Sequence, residues 1–161
     1  MGIQTAFSQS SDSPSGPKLI QQLCKRNRYQ SLCNSTLSHD PRSKAANLQG
    51  LGATIKTVNE SLTYFISVFD KITLRPAYEI YGTCIEDYGR LIDRLLPTVL
   101  ADIKAKNYTD AMSNMEDIVF APNHCENQFP AGTAPLPVTQ HNKAAHDIAD
   151  MTADIIKTFV H

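Results

Sequence analysis

The sequence contains no tryptophan, and its 15 Lys plus Arg against 16 Asp plus Glu leave a formal charge of −1. With neither sign in excess and the basic residues scattered, there is no electrostatic footprint for nucleic acid or for anionic lipid. No window approaches 18 continuous apolar residues, so no membrane-spanning helix is expected. Residues 1–16 (MGIQTAFSQSSDSPSG) lack the basic start and the apolar core of a secretory signal. They read as a flexible Ser-rich leader, with a signal peptide expected to have been removed or replaced by the initiating Met.

The constellations of catalysis are missing as well. No Glu-x-x-His pair exists to build a di-iron bundle site, and no Cys-x-x-Cys or His-x-x-x-His spacing suggests zinc. His141 and His146, five apart, face different sides of a helix, and each His reads as a surface residue. There is no phosphate-binding Gly-rich loop and no Gly-x-Ser-x-Gly. The expectation is a protein that is not an enzyme and uses no cofactor or metal.

What is present points outward from the cell. Four cysteines, Cys24, Cys33, Cys84 and Cys125, suffice for two disulfides, and Asn-x-Ser/Thr sequons stand at Asn34, Asn59 and Asn107. Together they suggest a secreted glycoprotein.

Helical period dominates the chain. Leu48, Leu51, Ile55, Val58, Leu62, Phe65 and Phe69 recur every three or four residues within Lys44 to Lys71, the pattern of an apolar stripe on one long helix. About 28 residues at 1.5 Å each make a rod of roughly 40 Å, the scale of a bundle element. Asp40 or Ser43, around Pro41, is the expected cap of its start. Gly50 and Gly52 in its first turns suggest close approach of another backbone.

A second stripe runs through Ala77, Tyr81, Cys84, Tyr88, Leu91, Leu95, Val99 and Ile103, with a bend expected at Pro97 and an exposed ion pair between Glu86 and Arg90. A third helix is expected from Asn107 or Thr109, as cap, to near Pro122. Thr139 is the expected cap of the fourth, with Ala145, Ile148, Met151 or Thr152, Ile155 and Phe159 inward. Its aspartates, Asp147, Asp150 and Asp154, read as a solvated face.

Upstream, residues 17–38 read as two short helices in a hairpin, whose cysteines Cys24 and Cys33 suit a bridge that pins the turn. The basic cluster Lys25, Arg26 and Arg28 reads as that turn's solvated surface. Short joints at 70–76 and 104–108 force antiparallel neighbours. The expected architecture is therefore all-α: one domain over residues 17–161, an up-down-up-down four-helix bundle over 44–161 with an N-terminal helical hairpin. A rigid secreted bundle of this kind functions through its surface. It suits an inhibitor better than a helical cytokine-like ligand, which needs two long crossovers.

The landmarks Cys24 and Cys33 around a short turn, Asp40-Pro41-Arg42-Ser43, Leu48-Gln49-Gly50-Leu51-Gly52, Cys84-Ile85-Glu86-Asp87-Tyr88, Asn107-Tyr108 and Cys125-Glu126-Asn127-Gln128-Phe129 resemble the plant invertase/pectin methylesterase inhibitor family over residues 18–161. That resemblance implies bridges Cys24–Cys33 and Cys84–Cys125, and a secreted inhibitor of the cell wall that forms a one-to-one complex with its target enzyme. Invertase-type members resemble one another in a Pro-Lys-Phe motif at the joint between the second and third long helices. Here the matching positions are Tyr108-Thr109-Asp110.

The loss of that lysine, and the Asp-Pro-Arg-Ser and Leu-Gln-Gly-Leu-Gly runs, favour pectin methylesterase as target. Pro137-Val138-Thr139 and Asn142 to Asp150 are similar to the invertase type, which stays the alternative. The expected partner-binding residues are Asn107, Tyr108, Thr109 and Asp110 in the joint, with Lys56 and Thr63 on the solvent face of the first long helix. Mass spectrometry of nonreduced peptides is expected to find the Cys24–Cys33 pair; a Cys24–Cys84 peptide would overturn this topology.

Overall fold

The computed structural model describes residues 17–37 and 46–161. The leader and the expected cap at Asp40 or Ser43 lie outside the described residues. Helices α1 (Pro17–Lys25) and α2 (Gln30–Leu37) form the hairpin. The bundle follows as α3 (Ala46–Phe69), α4 (Arg75–Arg90), a π-helical turn (Leu91–Leu95), α5 (Leu96–Lys104), α6 (Tyr108–Gln128) and α7 (Leu136–Lys157). The α4, π and α5 segments run end to end as one long element, so the bundle has four. Each packs on two others, α3 on α4, α4 on α6, α6 on α7 and α7 on α3, which closes an up-down-up-down ring.

The apolar stripe of α3 forms as expected, though its centre is displaced. Leu51, Val58 and Phe65 are fully buried, Ile55, Leu62 and Phe69 half-buried, and Leu48 stands 36% exposed. Among the buried residues of α3 are small and polar ones, of which Gly50, Thr54 and Ser61 turn toward α7. At this seam Thr54 Oγ1 donates to the Gly50 carbonyl at 2.9 Å and meets Thr152 Oγ1 at 3.0 Å, so two buried hydroxyls satisfy each other. A Cβ on Gly50 would come within 2.8 Å of Thr152 Oγ1, whereas one on Gly52 would meet nothing within 4 Å. The close approach expected of both glycines thus belongs to Gly50 alone, and its neighbour is a side chain, not a backbone.

The most enclosed helix is α7, with ten of 22 residues buried against eight of 24 in α3. One side enters the main core with Phe65, Tyr88, Leu96, Met115 and Ile118 through Ala145, Ala149 and Ile156. Another enters a second core, in which Ile148, Met151 and Ile155 meet Cys24, Cys33 and Leu37 of the hairpin. Bridges join Cys24 to Cys33 and Cys84 to Cys125, with Cα separations of 5.4 and 4.8 Å. Cys125 lies inside α6, so the second bridge ties two adjacent helices together.

Three boundaries differ from expectation. Helix α6 runs on past Pro122 to Gln128, because the buried proline is followed by a turn anchored through Cys125 to α4. Helix α7 starts at Leu136 with Pro137 in its first turn, where no N–H is needed. Thr139 is therefore inside the helix, and its hydroxyl donates to Glu126 on α6.

A π turn stands just before Pro97, where a bend is expected. There the Leu96 amide donates to the carbonyl of Leu91, five residues back. This resets the ladder so that Pro97 falls in the first turn of α5, where its missing donor costs nothing.

Substituting the two glycines of α3 separates propensity from packing. Gly52→Ala is expected to raise stability by about 1 kcal/mol through helix propensity alone. Gly50→Ala is expected to lower it by roughly 1–3 kcal/mol through overpacking, and Thr152→Ala should partly rescue it. Thermal or urea unfolding checks both; equal signs for the two would refute the seam.

Candidate partner-binding surface

The joint between α5 and α6 is closed by local hydrogen bonds. Ala105 ends α5, Lys106 adopts a left-handed φ of 59°, and Asn107 returns its amide to the carbonyl of Asp102 at 2.8 Å while Lys106 bonds that of Ile103. This is the Schellman ending, usually made with glycine. A lysine held there carries strain of order 1 kcal/mol.

The Asn107 side chain, which does not cap a helix amide, donates to Asp110 Oδ2 at 2.6 Å. Asp110 also places negative charge in the first turn of α6, where the helix dipole favours it. Tyr108 is half-buried with its ring 5.5 Å from that of Phe159, beyond the end of α7. Asn107, Thr109 and Asp110 are exposed, and so is Lys106, a cation at this end that sequence reasoning passed over. Its signal was a three-residue joint, 105–107, that has to turn without glycine.

Lys56 and Thr63 are exposed along the outer side of α3. The structure thus places them on a helix flank and the 107–110 group at a bundle end, as two surfaces. Asn59, whose sequon lies between Lys56 and Thr63, is exposed on that flank, and Asn34 is exposed on α2.

The expected solvated turn and solvated aspartates are bonded to each other. Arg28 Nη2 reaches Asp150 at 2.7 Å and Asp154 at 2.6 Å, its Nε donates to Asp154, and the Tyr29 hydroxyl donates to Asp150 at 2.8 Å. Beside them Asn27, 4% exposed, donates to the Met151 carbonyl. Asp147 is taken up by Lys143 and His146. Arg28, Asp150, Asp154 and Lys157, with Met112, Glu116, Val119 and Ala153, line a cleft of about 520 Å³ between α6 and α7.

Burial raises the Asp154 carboxyl, but hydrogen bonds from the side chain and amide of Arg28 outweigh it and hold it below 3.8. Burial and Asp150 push the Tyr29 phenol up to about 12.

Of the histidines expected at the surface, His161 is exposed and His39 lies outside the described residues, whereas His124, His141 and His146 are half-buried. His141 is half-buried, stacked on Tyr64 at 4.4 Å, and shares a hydrogen bond with Ser61 Oγ. Burial lowers its pKa. His124 pairs with the buried Asp87 at 2.7 Å. Among the described residues no group of three His, Cys, Asp or Glu could hold a metal ion, and no helix is long and apolar enough to cross a membrane.

A disulfide-stapled, closed helical bundle carrying its exposed groups on outer flanks and joints is the class that this geometry defines. A family model described as plant invertase/pectin methylesterase inhibitor matches residues 18–155, and the chain belongs to that family. It is 33% identical over 85 residues to a pectinesterase inhibitor of Actinidia deliciosa, an alignment that covers 48% of this chain and 44% of that relative.

Its fold is that of a pectin methylesterase inhibitor from Arabidopsis thaliana. The match to a mutant form from Arabidopsis has a TM-score of 0.73 at 13% identity and covers 86% of this chain and 95% of that one. A second crystal structure matches at a TM-score of 0.67 and 13% identity, covering 90% and 98%.

Acid should weaken the fold in two stages, first where His141 packs between α3 and α7 and then where Arg28 ties the hairpin to α7. His141 resists protonation in the folded state, so its contribution is complete above the ordinary value of 6.5 and declines below it. The Asp154 contribution is complete above 3.8 and is lost as pH falls below that value. Arg28→Gln is expected to cost about 0.5–1 kcal/mol at neutral pH, because the fork is screened by water, and to flatten only the second stage, read as thermal midpoint against pH. An unchanged acid limb in the variant would count against the fork.

Proposed function

We propose that this chain is a secreted, non-catalytic inhibitor of pectin methylesterase in the plant cell wall, acting in a one-to-one complex that occludes the enzyme's active-site cleft. The observation that carries this reading is the likeness of its sequence to the Actinidia deliciosa pectinesterase inhibitor. It is supported by the joint, where Tyr108-Thr109-Asp110 stands in place of the invertase-type Pro-Lys-Phe and presents an anion instead of a cation. The contact residues proposed are Asn107 to Asp110 together with Lys56 and Thr63 on the α3 flank. A glycan on Asn107 would obstruct the joint by bulk, so the unglycosylated protein is the form proposed to act.

Inhibition of invertase is the second reading, and one observation favours it: Lys106, exposed two residues before Tyr108, supplies a cation at the same bundle end. Titration of the purified protein against pectin methylesterase and acid invertase in parallel decides between the two. The expected outcome is an equivalence point at one inhibitor per pectin methylesterase, no effect on invertase, and no change for Lys106→Ala. Inhibition of invertase alone, abolished by Lys106→Ala, would overturn the assignment.

A further inference from the structure

Where α6 passes the π turn there is an open groove of about 420 Å³ lined by Arg90, Arg94, Leu95, Asp117 and Phe120. The ion pair expected between Glu86 and Arg90 does not form, and neither Arg90 nor Arg94 has a side-chain partner among the described residues. The π turn has one residue more per hydrogen-bonded ring than an α-helical turn, a feature often found at functional sites. Arg90 and Arg94, at its edge and within it, both face the groove. Opposite them Phe120 is 61% exposed, unusual for so large an apolar side chain, with its ring 5.9 Å from that of His124 one turn on.

We propose that this groove binds an acidic sugar chain, a run of uronate residues. The side chains match such a ring group by group. A guanidinium forks a carboxylate through paired N–H donors. An exposed aromatic face accepts the C–H face of a pyranose, and a carboxylate such as Asp117 accepts from sugar hydroxyls.

An acidic peptide satisfies only the first of these, and Asp117 opposes it by like charge. Leu95, half-buried, forms an apolar floor beneath the ring. The lining residues are distinct from all the proposed enzyme contacts, both Lys56 and Thr63 on α3 and Asn107 to Asp110 at the start of α6. Sugar binding and enzyme inhibition are therefore separable.

Calorimetric titration of the intact protein with a fully de-esterified oligogalacturonate tests this in the absence of any enzyme, so its failure leaves the inhibitor reading untouched. The comparison ligands are the same chain fully methyl-esterified and an oligoglutamate of equal charge. Expected is measurable binding of oligogalacturonate, weakened roughly tenfold or more in Kd by methyl esterification, by the double variant Arg90→Gln/Arg94→Gln, or by Phe120→Ala. These side chains are exposed, and unchanged helical circular dichroism verifies that the variants fold. Absence of oligogalacturonate binding, undiminished binding by the variants, or oligoglutamate bound as tightly as the sugar would each overturn the proposal.

Discussion

Helix α7 must bury two faces at once, one against the other bundle helices and one against the N-terminal hairpin, and the remaining structure is arranged around that demand. On the bundle side it accepts only close neighbours, so α3 offers Gly50, Thr54 and Ser61 where leucines would hold the axes apart. On the hairpin side Ile148, Met151 and Ile155 take the disulfide and Leu37 as their cover. Burying each such side chain contributes about 1.5–3 kcal/mol, more than a two-helix hairpin of this length could supply by itself. The hairpin is held by α7 as much as by its own bridge.

Polar interactions then fix how the pieces sit. The Arg28 fork lies at the edge of the hydrophobic contact between hairpin and α7, where water still screens it and where its geometry adds direction more than energy. Deeper in, the Tyr88 hydroxyl donates to Asn142 Oδ1 at 2.8 Å, and the Asn142 amide donates to Glu126. Three helices are thereby registered through one buried chain of donors and acceptors. Truncating any member would leave a buried group unpaired, a penalty of about 1–3 kcal/mol. The Cys84–Cys125 bridge stands beside this network and restrains two of the three helices, α4 and α6, covalently.

Much of this was legible from residue spacing. The three-four repeats of α3 and α4, the short joints and the turn between Cys24 and Cys33 are local signals, and they yielded the helices and their antiparallel order. What escaped was non-local or needed a choice between two local rules. Arg28 and Asp154 lie 126 residues apart, so no spacing rule connects them, and each looked like an ordinary surface charge. Pro122 was read as a stop because propensity alone says so, whereas the bridge at Cys125 holds the turn beyond it.

Thr139 was read as a cap, yet the Leu136-Pro137 pair starts the helix earlier. Among the candidate contact residues, exposure of Asn107, Thr109, Asp110, Lys56 and Thr63 followed from polarity. The left-handed Lys106 and the π turn that leaves Arg90 and Arg94 facing a groove depend on backbone geometry that no side-chain pattern announces.

The closed ring of helices has a consequence for descent. Almost all the folding free energy resides in inward stripes and a few buried polar links, while substitutions on the outward flanks usually change stability by less than about 0.5 kcal/mol. Drift and selection can therefore rewrite the outer surface at little risk to the scaffold. A lineage built on such a ring can exchange one target for another by altering a joint or a flank, with its core left as it was.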